Sequence, residues 1–457
     1  MQLNKFFVHK INKDKYALIT DVGNWTDVSK KELDSIKENK IEKQLQKRLE
    51  SKKIILTNKN KPSIQKDYTN LFSHLTHGVS LHIVNPTMRC NLNCLYCYAD
   101  SSPITRKGFD MDEETAKKTI DFIWQSPRKN FVIEFQGGEP LANFSTIQFI
   151  INYVANKRPK KNVHWRMVSN LSLMDETIAT WLKKNNVNDL CTSLDGPKKV
   201  HDYNRPLHGG SHSKVVHWLS SLKQDFGFKN IGTLCTVTKH SLPFAREIVE
   251  EHANLGLPDI TPVPVRSIGR AKKNWNKIGF SADEYSIFWK KVVEQCFART
   301  KKGKPMTEQF SLMIAQKLQG TKPAFHACFS KPCGGALMQA SYQPDGEIYT
   351  CDEGKALPLF KIGTVNQKYS KVFTSPNALN MISLSSSLGL LCNECKWTAY
   401  CCFCPVMAYS SQNSPIPLLY NNMDCKIRQS QFEYVFEKLF SKDRSTLLQW
   451  LGKGKSL

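Results

Sequence analysis

The sequence predicts an α/β fold built on a parallel sheet: a partial (β/α)6 barrel of TIM type, with a small N-terminal α+β module before it and a cysteine-rich domain after it. Three observations carry this prediction. From about residue 80, apolar strand-like runs alternate with amphipathic helical stretches six times, and parallel strands need such long crossovers. Before residue 79 the pattern is a short hairpin and polar helices, whereas after about residue 302 the alternation stops and cysteines crowd together with Gly and Pro. A chain of 457 residues has room for about three domains, here 1–78, 79–301 and 302–457.

The elements follow in order. YALIT, a turn at Asp21 to Asn24, a polar helix from Ser29, a second helix up to Leu49 and the strand KIIL form the first module. The Lys/Asn-rich stretch TNKNKPSIQKD after it reads as an exposed loop. The barrel strands are SLHIVNPT (80–87), NFVIEFQ (130–136), VHWRMVS (163–169), DLCTSLD (189–195), NIGTLCTVT (230–238) and DITPVPVRS (259–267). Helices fall between and after them, from DEETAKKTIDFIW to ADEYSIFWKKVVEQCF. In the first helix Ala116, Ile120, Ile123 and Trp124 recur at helical spacing and would face the sheet.

Composition narrows the function. Lys plus Arg number 64 against 40 Asp plus Glu, a net charge of +24 that favours acidic partners. The excess is scattered along the chain, so nucleic acid is not favoured as the main partner. No apolar run reaches the roughly 18 residues of a membrane span, and the opening MQLNKFFVHK lacks the apolar core of a signal peptide. The cytoplasm is the expected compartment, and there 15 cysteines point to metal rather than disulfides.

The first cysteine group directly follows the first barrel strand, as RCNLNCLYCYAD with Cys90, Cys94 and Cys97. Three thiolates in one loop hold three corners of a cubane and leave the fourth iron open to a ligand. A zinc site completed by a distant residue is the competing reading. This loop resembles that of the radical S-adenosylmethionine (radical SAM) superfamily, and the resemblance spans roughly residues 80–300. It implies a [4Fe-4S] cluster whose open iron chelates S-adenosyl-L-methionine and whose electron cleaves it to a 5'-deoxyadenosyl radical. Tyr96, beside the third cysteine, would lie near the adenine, although packing of Tyr96 and Tyr98 within the loop is an equal alternative.

Functional groups of α/β folds gather at the carboxyl ends of strands. The second strand runs into Gln136-Gly137-Gly138-Glu139-Pro140, where two glycines let backbone approach a ligand and a carboxylate can bind an ammonium group. By the resemblance Gly137, Gly138, Glu139 and Pro140 form the motif that receives the methionine amino group. The third strand ends in Ser169-Asn170, similar to the family's polar step beside the cofactor. The fourth continues through Ser193-Leu194-Asp195-Gly196-Pro197 to Asn204-Arg205. That stretch resembles anaerobic sulfatase maturases, which assigns Ser193 and Arg205 to the methionine carboxylate. Read without the family, it is a β-turn followed by an exposed arginine. Arg266, at the end of the sixth strand, could face the same cavity.

The last third holds Cys328, Cys333, Cys351, Cys392, Cys395, Cys401, Cys402, Cys404 and Cys425. The spacing at Cys392, Cys395, Cys401 and Cys404 resembles the SPASM domain of radical enzymes that mature ribosomal peptides and proteins. The resemblance implies two auxiliary [4Fe-4S] clusters, one on Cys328, Cys333, Cys351 and Cys404, the other on Cys392, Cys395, Cys401 and Cys425. The final gap of the segment is one residue shorter than the family's, so Cys402 competes with Cys401; two structural zinc sites are the alternative chemistry. Cys191, Cys235 and Cys296 read as buried small hydrophobes. Asp352 follows Cys351 where the maturases carry an acid that can deprotonate the substrate, although DEGK by itself reads as loop.

PCGGALMQASYQPDGEIYTCDEGKAL and CxxCPV followed by CKI resemble the maturases of His-Xaa-Ser peptide systems. They imply a precursor peptide as substrate, a flavodoxin or ferredoxin as reductant, and hydrogen abstraction followed by oxidation through the auxiliary clusters. The N-terminal module would bind a leader segment as an added strand, or serve as a plain cap. Rival functions are a sulfatase-type maturase that forms formylglycine and, from another class, a zinc or iron-sulfur protein for nucleic-acid binding or electron transfer.

Overall fold

The computed structural model describes residues 2–320, 326–387, 392, 394–416 and 418–452. Its central sheet contains Leu81–Thr87, Asn130–Gly137, Asn162–Val168, Asp189–Ser193, Asn230–Val237 and Pro262–Pro264 side by side in chain order and all parallel. This is the partial barrel. Helices Glu113–Trp124, Phe144–Asn156, Glu176–Lys184, His212–Gln224, Ala245–Asn254 and Ala282–Lys301 follow the strands in turn.

Local signals set the helix starts. Asp112 accepts a hydrogen bond from the Thr115 amide at 2.7 Å, Asp175 caps the helix after the third strand in the same way, and Ser281 with Glu284 forms a capping box. Ala116, Ile120 and Ile123 are buried against the sheet, and Trp124 meets Phe131 edge-on at 5.8 Å. Phe135 and Trp165 stack on the same outer face of the sheet, within the core that the helices cover.

The sixth strand is shorter than its sequence predicts. Asp259–Ile260 pairs with Thr307–Glu308, and only Pro262–Pro264 pairs with the fifth strand. Pro262 and Pro264 offer no amide to a further neighbour, which confines the segment to the sheet edge.

At the N-terminus, Phe6–Lys10, Lys15–Thr20 and Trp25–Ser29 form a three-stranded antiparallel sheet. Ser29 and Glu32 cap the helix Lys30–Lys37. The stretch read as an exposed loop instead forms the helix Lys61–Leu71, with Pro62 in its first turn, where a missing amide costs nothing. Tertiary contacts fix it: buried Asp67 takes Asn24 Nδ2 at 2.7 Å and Lys53 Nζ at 2.5 Å.

The C-terminal region is continuous with the barrel sheet. Gln339–Tyr342 lies parallel to Leu81–Val84, then Glu347–Tyr349 and Lys361–Thr364 follow antiparallel, giving nine strands among the described residues. Helix Met423–Lys438 packs along Ala282–Lys301. Among the described residues no helix is long and apolar enough to cross a membrane.

Candidate active site

The loop that carries Cys90, Cys94 and Cys97 is tied down by groups from distant segments. The Leu95 amide donates to the Asn204 carbonyl at 2.9 Å and the Arg270 amide to that of Cys97 at 2.9 Å. Arg270 also reaches the carbonyls of Cys94 and Ser101, and Asn274 that of Leu95. Gly269, at φ +58°, passes so close that a Cβ there would lie 2.3 Å from the Tyr98 carbonyl oxygen. All three cysteines line one cavity of about 420 Å³ at the carboxyl ends of the strands. Burial, then Glu139, Cys94 and Cys97, push the Cys90 thiol up to about 12. Cys94 rises to about 11, chiefly by burial, with Arg205 opposing. Three cysteine thiols on one cavity wall are the donor set that a three-cysteine iron-sulfur cluster takes, although among the described residues no three such side chains stand together closely enough to hold a single metal ion.

The two glycines of the second strand end serve a different approach from the one their sequence implies. A Cβ on Gly137 would stand 2.1 Å from the Thr87 carbonyl oxygen, and one on Gly138 2.3 Å from that of Arg89. Gly138 and Glu139 donate their amides to those same carbonyls at 2.9 and 2.8 Å. Both glycines line the cavity, but the backbone they admit is that of the cysteine loop. Glu139 is fully buried and accepts from Ser169 Oγ at 2.7 Å, the Asn170 amide at 2.7 Å and the Leu141 amide at 3.1 Å. It therefore anchors the third strand end, and Pro140 is buried beside it. Ser169 and Asn170 themselves reach the cavity, with Asn170 Nδ2 3.7 Å from Cys90 Sγ.

Across the cavity, Ser193 lines the wall with Tyr96 and Arg205. Tyr96 Oη donates to Asp195 Oδ2 at 2.8 Å and accepts from Arg205 Nη1 at 2.6 Å. Arg205 is buried, not the exposed turn residue that the isolated motif allows. Its Nε has no hydrogen-bond partner among the described residues. A buried, unpaired guanidinium N–H beside the thiols fits a carboxylate of the kind that S-adenosyl-L-methionine carries. Asp195 is pushed up to about 6 by burial, with Arg205 and Tyr96 opposing.

Asp352 reaches the same cavity from the C-terminal region. The residues after it form a single 3-10 turn, Glu353–Ala356, rather than an open loop. Tyr98 Oη donates to Asp352 Oδ2 at 2.8 Å, and Lys355 Nζ lies 2.8 Å from Oδ1. The fully buried Lys355 side chain also meets Asn85 Oδ1 at 3.0 Å and Gln136 Oε1 at 3.4 Å, which joins this turn to the first two barrel strands.

The remaining cysteines fall into two neighbourhoods. Burial and Glu353 raise Cys351, Cys404 and Cys328, and Cys333 adds to each of them. Cys425 is pushed up to about 12 by burial, then by Cys401, Cys392 and Cys395. Cys401 faces this second group, whereas buried Cys402 sits against Cys333 and is the largest cause of that thiol's raised pKa. A second cavity of about 400 Å³ opens among Cys392, Cys395, Cys401, Cys402, Cys404 and Cys425. Cys235 and Cys296 are buried as expected, but Cys191 lines the barrel cavity.

Sequence reasoning missed the partners: Asp195 for Tyr96, Lys355 for Asp352, and Glu353 with Asp424 for Arg266. Asp195 stood in a quoted motif, and Glu353 and Lys355 stood in DEGK; Lys355 is only three residues from Asp352, but nothing in the spacing pairs Tyr96 with Asp195 or Arg266 with Glu353 and Asp424, far away in the sequence.

Residues 84–259 match the model of the Radical SAM superfamily. An uncharacterized protein of Methanocaldococcus jannaschii, MJ0907, is 32% identical over 192 residues, which cover 41% of this chain and 63% of that protein. A cysteine-type anaerobic sulfatase-maturating enzyme of Clostridium novyi is 25% identical over 373 residues, covering 80% of this chain and 96% of its own. Among solved structures, native anSMEcpe with bound AdoMet superposes at a TM-score of 0.68 and 20% identity, over 80% of this chain and 100% of that one. Streptococcus suis SuiB bound to precursor peptide SuiA superposes at 0.55 and 14% identity, over 91% and 98%. The two superpositions establish the fold.

Proposed function

We propose that this chain, whose residues 84–259 match the model of the Radical SAM superfamily, is a radical SAM maturase that abstracts hydrogen from a ribosomally made precursor peptide. One observation carries the reading: the Cys90, Cys94 and Cys97 thiols, Arg205 and the C-terminal Asp352 all line a single cavity. Hydrogen removal and an acid from the cysteine-rich region thus share one chamber. The [4Fe-4S] cluster and S-adenosyl-L-methionine, when bound, supply the reductively generated 5'-deoxyadenosyl radical. Cys90, Cys94 and Cys97 would hold the iron and Arg205, with Ser193, the methionine carboxylate. Tyr96, Gly137, Gly138, Ser169 and Asn170 would shape the pocket, and Glu139 and Pro140 would fix the strand end behind it. Asp352, oriented by Tyr98 and Lys355, would receive a substrate proton.

The two auxiliary clusters would take Cys328, Cys333, Cys351 and Cys404, and Cys392, Cys395, Cys401 and Cys425. A peptide substrate is supported by the structural relative solved with its precursor peptide and by the resemblance to His-Xaa-Ser maturases. The N-terminal module would receive the leader along its edge strand Phe6–Lys10, whose Val8 and Lys10 are exposed. A small flavodoxin or ferredoxin in the cytoplasm would supply electrons, drawn by the net charge of +24. The near full-length match to the clostridial enzyme favours a second reading, formylglycine formation on a sulfatase. Anaerobic incubation with a co-encoded repetitive peptide and with a sulfatase-derived Cys or Ser peptide separates the two by mass spectrometry. Modification of the first alone is expected, and modification of the sulfatase peptide alone would overturn the proposal.

A further inference from the structure

Arg266 stands just beyond the sixth strand and lines both large cavities, the one in the barrel and the one among the C-terminal cysteines. Its Nη1 lies 3.4 Å from Asp424 Oδ1 and its Nε 3.7 Å from Glu353 Oε1. Glu353 is two residues beyond Cys351 and Asp424 directly precedes Cys425, so this one guanidinium joins a loop from each cysteine group. A guanidinium keeps its proton at any working pH, and here it is flanked by two carboxylates, Asp424 and Glu353. It is a fixed cation between the two cysteine groups, with its side chain 19% exposed.

We propose that Arg266 sets the reduction potential of the auxiliary cluster on Cys328, Cys333, Cys351 and Cys404, so that this cluster can take an electron from the substrate. The inference rests on the maturase reading above. In that reaction the substrate would lose a hydrogen atom to the cofactor-derived radical, giving 5'-deoxyadenosine, and then one proton to a base and one electron to the oxidised cluster that Cys328, Cys333, Cys351 and Cys404 would hold, which would be reduced by that one electron. A fixed positive charge close by stabilises the reduced, more negative cluster and raises its potential. The half-buried Glu353 carboxylate, 3.7 Å from this guanidinium, would act in the opposite sense.

The test uses the full chain with Cys90, Cys94 and Cys97 replaced by Ala, so that only auxiliary iron is present, and follows an anaerobic redox titration by electron paramagnetic resonance. Arg266→Gln is expected to move the midpoint to a more negative potential, Arg266→Lys to leave it near the parent value, and Glu353→Gln to move it positive. A structural tie between loops would not give opposite signs for the two Gln variants, nor be restored by charge alone. Midpoints unmoved at full iron content, or moved in one direction by both Gln variants, would overturn the proposal while leaving the maturase reading intact. Absence of iron in the parent triple variant would overturn both.

Discussion

Arg205 donates from Nη1 to Tyr96 Oη at 2.6 Å, joining the cysteine loop to the end of the short helix Lys198–Asn204 after the fourth barrel strand, across 109 residues of sequence. The contact leaves Arg205 Nε turned to no partner among the described residues, beside thiols that line the same cavity. Charge alone does not reproduce this arrangement, because a lysine has no planar fork with which to serve two partners at once.

Arg205→Lys should therefore weaken binding of S-adenosyl-L-methionine about tenfold to a hundredfold, the range expected from losing roughly 1.5–3 kcal/mol of charge-assisted hydrogen bonding. Equilibrium binding to anaerobically reconstituted protein measures it. Affinity equal to that of the parent would remove Arg205 from the cofactor site.

Gly138→Ala should destabilise the apoprotein by about 3 kcal/mol, because its Cβ would meet the Arg89 carbonyl oxygen at 2.3 Å. The two hydrogen bonds that brace the cysteine loop would part with it. Chemical denaturation reads the loss directly, and an unchanged midpoint would show that the close approach is not required.

Cys401 and Cys402 are neighbours in sequence and both line the C-terminal cavity, but Cys402 sits against Cys333 whereas Cys401 interacts with Cys395 and Cys392. Cys401→Ser should lower iron from about twelve to about eight per chain, four for each cubane lost, and Cys402→Ser should leave the count intact. Iron and sulfide analysis decides it, and the reverse outcome would exchange the two assignments.

Glu308 offers a prediction away from the site. It is fully buried, accepts from the Phe310 and Ser311 amides at 3.0 and 2.7 Å, and burial pushes it up to about 7. The folded chain then keeps this proton between about pH 4.5 and 7, where the unfolded chain has lost it, so stability falls as pH rises through that window. The loss approaches about 3 kcal/mol at its upper end. Unfolding of apoprotein Glu308→Gln should show a correspondingly flatter pH dependence than the parent, and parallel curves would contradict the assignment.

The barrel was legible because strands covered by helices read as apolar runs, separated by helices with one apolar stripe. The sixth strand was overextended since its two prolines also belong to an apolar run. Lys61–Leu71 looked like a loop because a Lys/Asn-rich segment carries no helical stripe, whereas Asp67 and Lys53 hold it by a contact outside the segment. The strands from Gln339 on were hidden by their shortness, and Gln339–Tyr342 also by pairing with a strand more than 250 residues away. At the site, residues at strand ends were readable as motifs. Their orientation was not: Glu139 points into the protein, and Asp352 is held by Tyr98 and Lys355 from opposite sides.

The most direct measurement is nucleoside release by the reconstituted enzyme under strict anaerobiosis with dithionite and S-adenosyl-L-methionine. The parent should yield 5'-deoxyadenosine, and the Cys90, Cys94 and Cys97 triple Ala variant should yield none while retaining about eight irons. Zinc in place of iron in that loop, or a complete cluster that leaves S-adenosyl-L-methionine uncleaved, would contradict the account.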